Sequence, residues 1–203
     1  LKDYTFIRYA VAVVLLVPGF VLCNCFISAW LGSEYILPTV ISLLLVSALF
    51  IHFVHGALVD YIAGLGYFKA DRKISIVGAI INLTVSFILV QYIGLAGVLV
   101  GTVISQAYFW INRSLCVFKD YFQDKRKLLK YWVLCVCYIL VFYILCILCC
   151  TLFQFLPLDD SYIKFIVGGI GCYVIILPVY LICFARTGEF KYLRHMIQKQ
   201  TGR

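Results

Sequence analysis

The sequence predicts an all-α, polytopic membrane protein with six transmembrane helices. Of its 203 residues, 65% are hydrophobic and 13% charged, where a soluble globular chain carries about 25% charge. Mean hydropathy is +1.05. The charges gather between six apolar stretches of roughly 20 residues, and a helix of that length reaches about 30 Å, the thickness of a bilayer core. The first residue is Leu1 and the only methionine is Met196, which leads to the expectation of a piece cut from a longer chain. Leu1 to Arg8 offers no small-residue cleavage site, and the apolar run behind it is too long for a signal peptide.

Span one is expected from about Phe6 to Trp30. Lys2 and Arg8 flank its start, Pro18 and Gly19 lie near its middle, and Asn24 is its one strongly polar residue. Trp30-Leu31-Gly32-Ser33-Glu34-Tyr35 reads as a polar turn with aromatics at interface depth. Span two, from about Leu37 to Tyr61, takes Pro38 in its first turn and carries His52, His55 and Asp60. A basic loop, Gly64 to Lys73, follows.

Spans three and four form a hairpin. Ile74 to Ile93 and Val98 to Ile111 are free of charge and joined by Gly94-Leu95-Ala96-Gly97, a turn too short to let the arms be anything but antiparallel neighbours. Ser75, Ala79, Asn82 and Ser86 share a face of the first arm; Gly97, Gly101 and Ser105 recur every four residues in the second, with Thr102 beside them. Helices in lipid gain little from burying more apolar surface, so small faces and shared hydrogen bonds must hold them. After Asn112 the text turns basic: Arg113, Lys119, Lys125, Arg126, Lys127 and Lys130. Val117, Tyr121, Leu128 and Leu129 within it suggest a short helix on the membrane surface. Span five runs from about Tyr131 to Phe155 and Pro157, Asp159 and Asp160 mark a turn. Span six runs from Tyr162 to Ala185, with Gly168, Gly169 and Gly171 for close packing and Pro178 as a kink, before a basic tail carrying Lys191, Arg194, Lys199 and Arg203.

Six spans place both ends on one side. That side then receives sixteen of the seventeen basic residues, and Lys164 alone falls on the other. Positive charge stays in the cytoplasm, which orients the chain with both ends cytoplasmic and accounts for the net charge of +8 without a nucleic-acid partner. The ten cysteines sit in or at the edge of apolar runs, where thiols behave as small apolar groups, and no pair has metal spacing backed by histidines in polar sequence. The sequence offers no phosphate loop, nucleophile elbow or paired loop carboxylates, so no enzyme is expected.

Polar groups within spans are costly and so become the candidates. Asp60 with His52 and His55 forms one set: either a protonatable coupling group or, for Asp60, a side chain that reaches the nearby interface. Asn82, Ser86 and Thr102 form the other: either interhelical hydrogen bonds or, with a backbone carbonyl, an oxygen cage for sodium. Gly97, Gly101 and Ser105 are the helix-packing residues. No cofactor is expected beyond Na+ or H+ as a coupling ion at these groups.

Trp30 to Tyr121 resembles the C-terminal part of polysaccharide and O-antigen flippases of the Wzx type, in the MOP exporter superfamily. The resemblance is carried by Trp30-Leu31-Gly32-Ser33-Glu34-Tyr35 closing one span, the basic loop around Gly66 to Lys73, Ala79-Ile80-Ile81-Asn82-Leu83, and the run from Gly94 to Ser105. It implies the last six of about fourteen helices. Residues 1–118 would be four helices of the second lobe, 119–130 a basic cytoplasmic linker, 131–185 a terminal hairpin and 186–203 a basic tail. It further implies an inner-membrane transporter that moves polyprenyl-diphosphate-linked sugar repeat units outward by alternating access, partnered with an N-terminal lobe of the same protein. In the lipid II branch an ion site uses an Asn, an acid one turn on and a Thr on the next helix; Asn82 and Thr102 match, and Ser86 stands in place of the acid. A multidrug exporter of the MATE type is the alternative within the superfamily, and a membrane-embedded polymerase or acyltransferase is the alternative outside it.

Overall fold

The computed structural model describes residues 1–155, 161–184 and 188. Six long helices account for almost all of them: α1 Lys2–Trp30, α2 Thr39–Gly64, α3 Phe68–Ile93, α4 Leu95–Leu115, α5 Lys125–Gln154 and α6 Ser161–Phe184. All six are long and apolar enough to cross a membrane. The chain is an all-α, multi-pass membrane protein. The turn expected at Pro157, Asp159 and Asp160 and the basic tail with Arg186, Lys191, Arg194, Lys199 and Arg203 lie outside the described residues.

Three boundaries differ from the sequence reading. Helices begin before their apolar runs: α3 absorbs most of the basic loop from Phe68, and α5 starts at Lys125, six residues ahead of Tyr131. Lysine and arginine are good helix formers, and nothing at the interface obliges the backbone to stop. The turn between α3 and α4 contracts to Gly94 alone, at φ 58° and ψ −138°, a conformation open to glycine and strained for any residue with a Cβ. The separate surface helix expected around 117–129 is not formed. Cys116–Tyr121 continues α4 as a wide π-helical turn, and Gln123 at φ 53° breaks the chain. Asp124 then ends the break: its Oδ1 accepts the backbone N–H groups of Arg126 and Lys127 at 3.0 and 3.1 Å, the pairing that starts a helix.

The described residues form two compact units, Pro38–Tyr138 with Leu1, and Lys2–Leu37 with those from Ile139 to Phe184, so α5 contributes a half to each. In the first unit α4 packs against both α2 and α3. An aromatic cluster ties the start of α5 to α4: Trp110 Nε1 donates to Tyr131 Oη at 2.8 Å and Trp132 Nε1 to Ser114 Oγ at 3.2 Å, with Phe118 against Tyr131.

In the second unit α1 packs on α6. Phe6, Tyr9, Tyr180 and Phe184 form an aromatic cluster with centroids 5.0 to 6.2 Å apart. Towards the other end Tyr162 Oη donates to the Ala29 carbonyl at 2.7 Å. Asn24, the polar residue of α1, holds the peptide groups of Leu37: its Nδ2 donates to the Leu37 carbonyl and its Oδ1 accepts the Leu37 N–H. An amide in lipid needs such a partner, and here it anchors the chain as it leaves the 3-10 turn Ser33–Tyr35. All ten cysteines are free thiols, five of them buried.

Candidate functional site

The site is built on the α3–α4 hairpin, and glycine makes it possible. A Cβ at Gly97 would strike the backbone of Leu89 and Val90, and one at Gly101 would strike Ser86. The two backbones therefore approach closely, and polar groups of one helix reach those of the other. On α3 it is Gly78, the only buried residue of that helix, that accepts the ring of Phe109; Ala79, expected on this face, is exposed. The contact rows are then Asp71, Ser75, Gly78, Asn82 and Ser86 on α3, and Gly97, Gly101, Ser105, Phe109 and Arg113 on α4. Both step by three or four residues, the spacing that keeps one face.

Ser86 and Thr102 converge on the Val98 carbonyl, and Asn82 joins them through Ser86. Ser86 Oγ donates to Asn82 Oδ1 at 3.0 Å, with the Val98 carbonyl 3.3 Å away as its alternative acceptor. Thr102 Oγ1 donates to the same carbonyl at 3.0 Å. Ser105, buried, gives its proton to the Thr102 carbonyl at 2.8 Å. Four neutral oxygens thus share one half-exposed patch. The donor set suits a hard cation in chemistry, but without a carboxylate it brings no negative charge, and an ion would have to displace hydroxyl protons already committed to the carbonyl and the amide.

His52, His55 and Asp60 are not brought together as a set. His52 and His55 meet edge to face with centroids 5.6 Å apart. Asp60 is exposed towards the end of α2, and at 100° per residue it lies about 140° around the helix from His55. His55 is buried, and its Nε2 lies 2.7 Å from Gln106 Oε1 on α4. A carbonyl oxygen there assigns the proton to Nε2, so Nδ1 is a buried acceptor without a hydrogen-bond partner among the described residues.

Two polar groups escaped the sequence reading. Gln106 gives α2 its polar tie to α4. Arg113, in the sequence the first of the basic residues that follow Asn112, is buried: its Nε pairs with Asp71 Oδ1 at 2.7 Å, its Nη2 lies 3.2 Å from Ser75 Oγ, and its guanidinium stacks 4.9 Å from the Phe109 ring centre. Continuing the Gly97-Gly101-Ser105 ladder two more steps arrives at Phe109 and Arg113, so the signal was in the spacing. His55 and Phe109 are also ring neighbours at 6.3 Å. The result is a continuous path from His52 through His55, Phe109 and Arg113 to Asp71 across three helices. Among the described residues no group of His, Cys, Asp or Glu is arranged to hold a metal ion.

Comparison with family models, with curated proteins and with solved structures finds no match to this chain.

Proposed function

We propose that the chain is the C-terminal portion of a bacterial inner-membrane flippase of the Wzx type, which moves polyprenyl-diphosphate-linked oligosaccharide repeat units outward for surface polysaccharide synthesis by alternating access, with both ends of this segment cytoplasmic. The observation that supports this reading is the hairpin. The two stretches whose text resembles the family, Ala79 to Leu83 and Gly94 to Ser105, supply the packing glycines Gly97 and Gly101 and three members of the polar cluster, Asn82, Val98 and Thr102, which Ser86 outside them completes. A rigid hairpin of this kind suits a lobe that rocks as a body, because the polar rungs fix its register while the rest of α3 stays free to face lipid or another part of the protein. The buried His55 and the buried Arg113 paired with Asp71 supply ionisable groups within this unit, the residue type that couples transport to an ion gradient.

The deciding experiment deletes the full-length gene. Loss of surface polysaccharide, with lipid-linked repeat units accumulating on the cytoplasmic side, is the expected phenotype. Normal polysaccharide with altered drug sensitivity would replace this reading with a multidrug exporter. Within the full-length protein, Asn82→Leu tests the ion role of the cluster: transport should lose its dependence on a sodium or proton gradient, and unchanged gradient dependence removes ion binding from the proposal while leaving the flippase reading intact.

A further inference from the structure

The first unit carries a feature its helix contacts do not use. Where α2 turns into α3, Gly66 sits at φ 71°, and Gly66, Tyr67, Phe68, Lys69, Ala70 and Lys73 line a shallow cavity of about 620 Å³. Tyr67 and Phe68 are exposed, as aromatics at headgroup depth are. Lys69 and Lys73 are one helical turn apart, so two like charges share a face. Among the described residues neither has an ion-pair partner. The carboxylate of the same turn, Asp71, is committed to Arg113 and does not neutralise them.

The same face continues as an apolar stripe. Lys69, Lys73, Ile76, Ile80, Leu83 and Phe87 succeed one another in steps of three and four residues and line one side of α3. Ile76, Ile80, Leu83 and Phe87 are 55%, 59%, 74% and 66% exposed. From Ile76 to Phe87 a helix rises about 16 Å, which is about half of the ~30 Å hydrocarbon core and hence one leaflet.

We propose that this face binds one anionic glycerophospholipid, its phosphate held by Lys69 and Lys73 at the cavity and an acyl chain laid along Ile76 to Phe87. The two unpaired ammonium groups select a negative headgroup over a neutral one. The stripe of one-leaflet length selects a lipid over a free phosphate. The inference needs only that α3 crosses the membrane and does not rest on the flippase reading.

The test reconstitutes the full chain in phosphatidylcholine vesicles carrying spin-labelled phosphatidylglycerol or spin-labelled phosphatidylcholine and reads the immobilised lipid by electron spin resonance. The site should prefer phosphatidylglycerol on the order of ten-fold, the scale expected of two lysines facing an anionic headgroup. The K69Q/K73Q double variant should lose that preference. A K125Q/K127Q control, altering a basic pair off this face, should keep it. Inorganic phosphate at matched ionic strength should not compete. Equal affinity for both lipids, or a preference that survives K69Q/K73Q, overturns the proposal. Displacement by inorganic phosphate, or by a polyprenyl phosphate at equimolar amount, overturns the occupant named here.

Discussion

The α3–α4 hairpin of one unit and the α1–α6 pair of the other meet the same difficulty, holding helices together in lipid, by different means. The hairpin brings backbones together at Gly97 and Gly101 and adds polar rungs at Asn82, Ser86, Thr102 and the Arg113–Asp71 pair. The α1–α6 pair relies on rings, the cluster of Phe6, Tyr9, Tyr180 and Phe184, with the Tyr162–Ala29 bond near the other end. Between those ends Leu22 of α1 packs its side chain against Gly168 and Gly169 of α6, beside an apolar cavity of about 590 Å³ lined in part by Pro18, Gly19, Phe165 and Gly169, so the contact there is side chain on glycine and not backbone on backbone. Polar rungs and glycine contacts fix register, since a slip of one residue breaks each of them. Ring clusters tolerate small slips. The difference identifies the hairpin as the stiff element and the α1–α6 pair as the adaptable one.

The largest expected effect tests that contrast directly. Gly97→Val forces a side chain into the Leu89 backbone, which cannot yield, and should cost about 3 kcal/mol. Gly171→Val on α6 meets nothing within 4 Å and should be close to neutral. Thermal unfolding of the two variants in the same detergent checks this, and equal losses would break the comparison.

Arg113→Gln comes next. Removing one partner of a fully buried pair costs about 3–5 kcal/mol, but the Asp71 side chain is 25% exposed, so about 2 kcal/mol is expected after solvent screening. Arg113→Lys keeps the charge and loses the fork that reaches Asp71 and Ser75 together, so it should recover only part of the loss. Full recovery would mean that charge alone holds the open end of the hairpin.

How much of this was legible depends on the range of the interaction. The spans could be read because hydropathy is a property of contiguous residues, and the hairpin because a single glycine turn brings its arms together. The face of α3 was read one residue off at Ala79, because alanine and glycine look alike as small residues while only Gly78 admits the Phe109 ring. The Arg113–Asp71 and His55–Gln106 contacts join residues 42 and 51 positions apart; spacing puts Arg113 on the contact face of α4, but nothing local in the text names Asp71 as its partner or pairs Gln106 with His55. The missing surface helix had a different cause: a capping aspartate, Asp124, outweighed a weak apolar pattern.

A double-mutant cycle on His55→Leu and Gln106→Leu measures the tie between α2 and α4. Interhelical hydrogen bonds in membranes contribute about 0.6–2 kcal/mol, so a coupling of about 1 kcal/mol is expected. A coupling near zero would confine the stiffness of this unit to the hairpin and exclude α2 from it.

The smallest effect lies at the start of α5. The backbone N–H of Lys127 bonds the Asp124 carboxylate, as does that of Arg126, with the Lys127 ammonium nearby, and together they hold the carboxyl below its ordinary value. A group depressed in the folded state contributes above its unfolded value and loses that contribution as the pH falls through the folded one. The first turn of α5 should therefore stay capped at neutral pH and fray only in acid. The Arg126 and Lys127 amide resonances should titrate together, with a midpoint below that of a free aspartate. Asp124→Asn retains an oxygen acceptor and should abolish the titration while keeping the turn, whereas Asp124→Ala should abolish both. A midpoint at or above the free value would mean that the break before α5 is held by the aromatic cluster of Trp110, Tyr131 and Trp132 and not by the cap, which would move part of the first unit's rigidity from polar rungs to rings and narrow its contrast with the second.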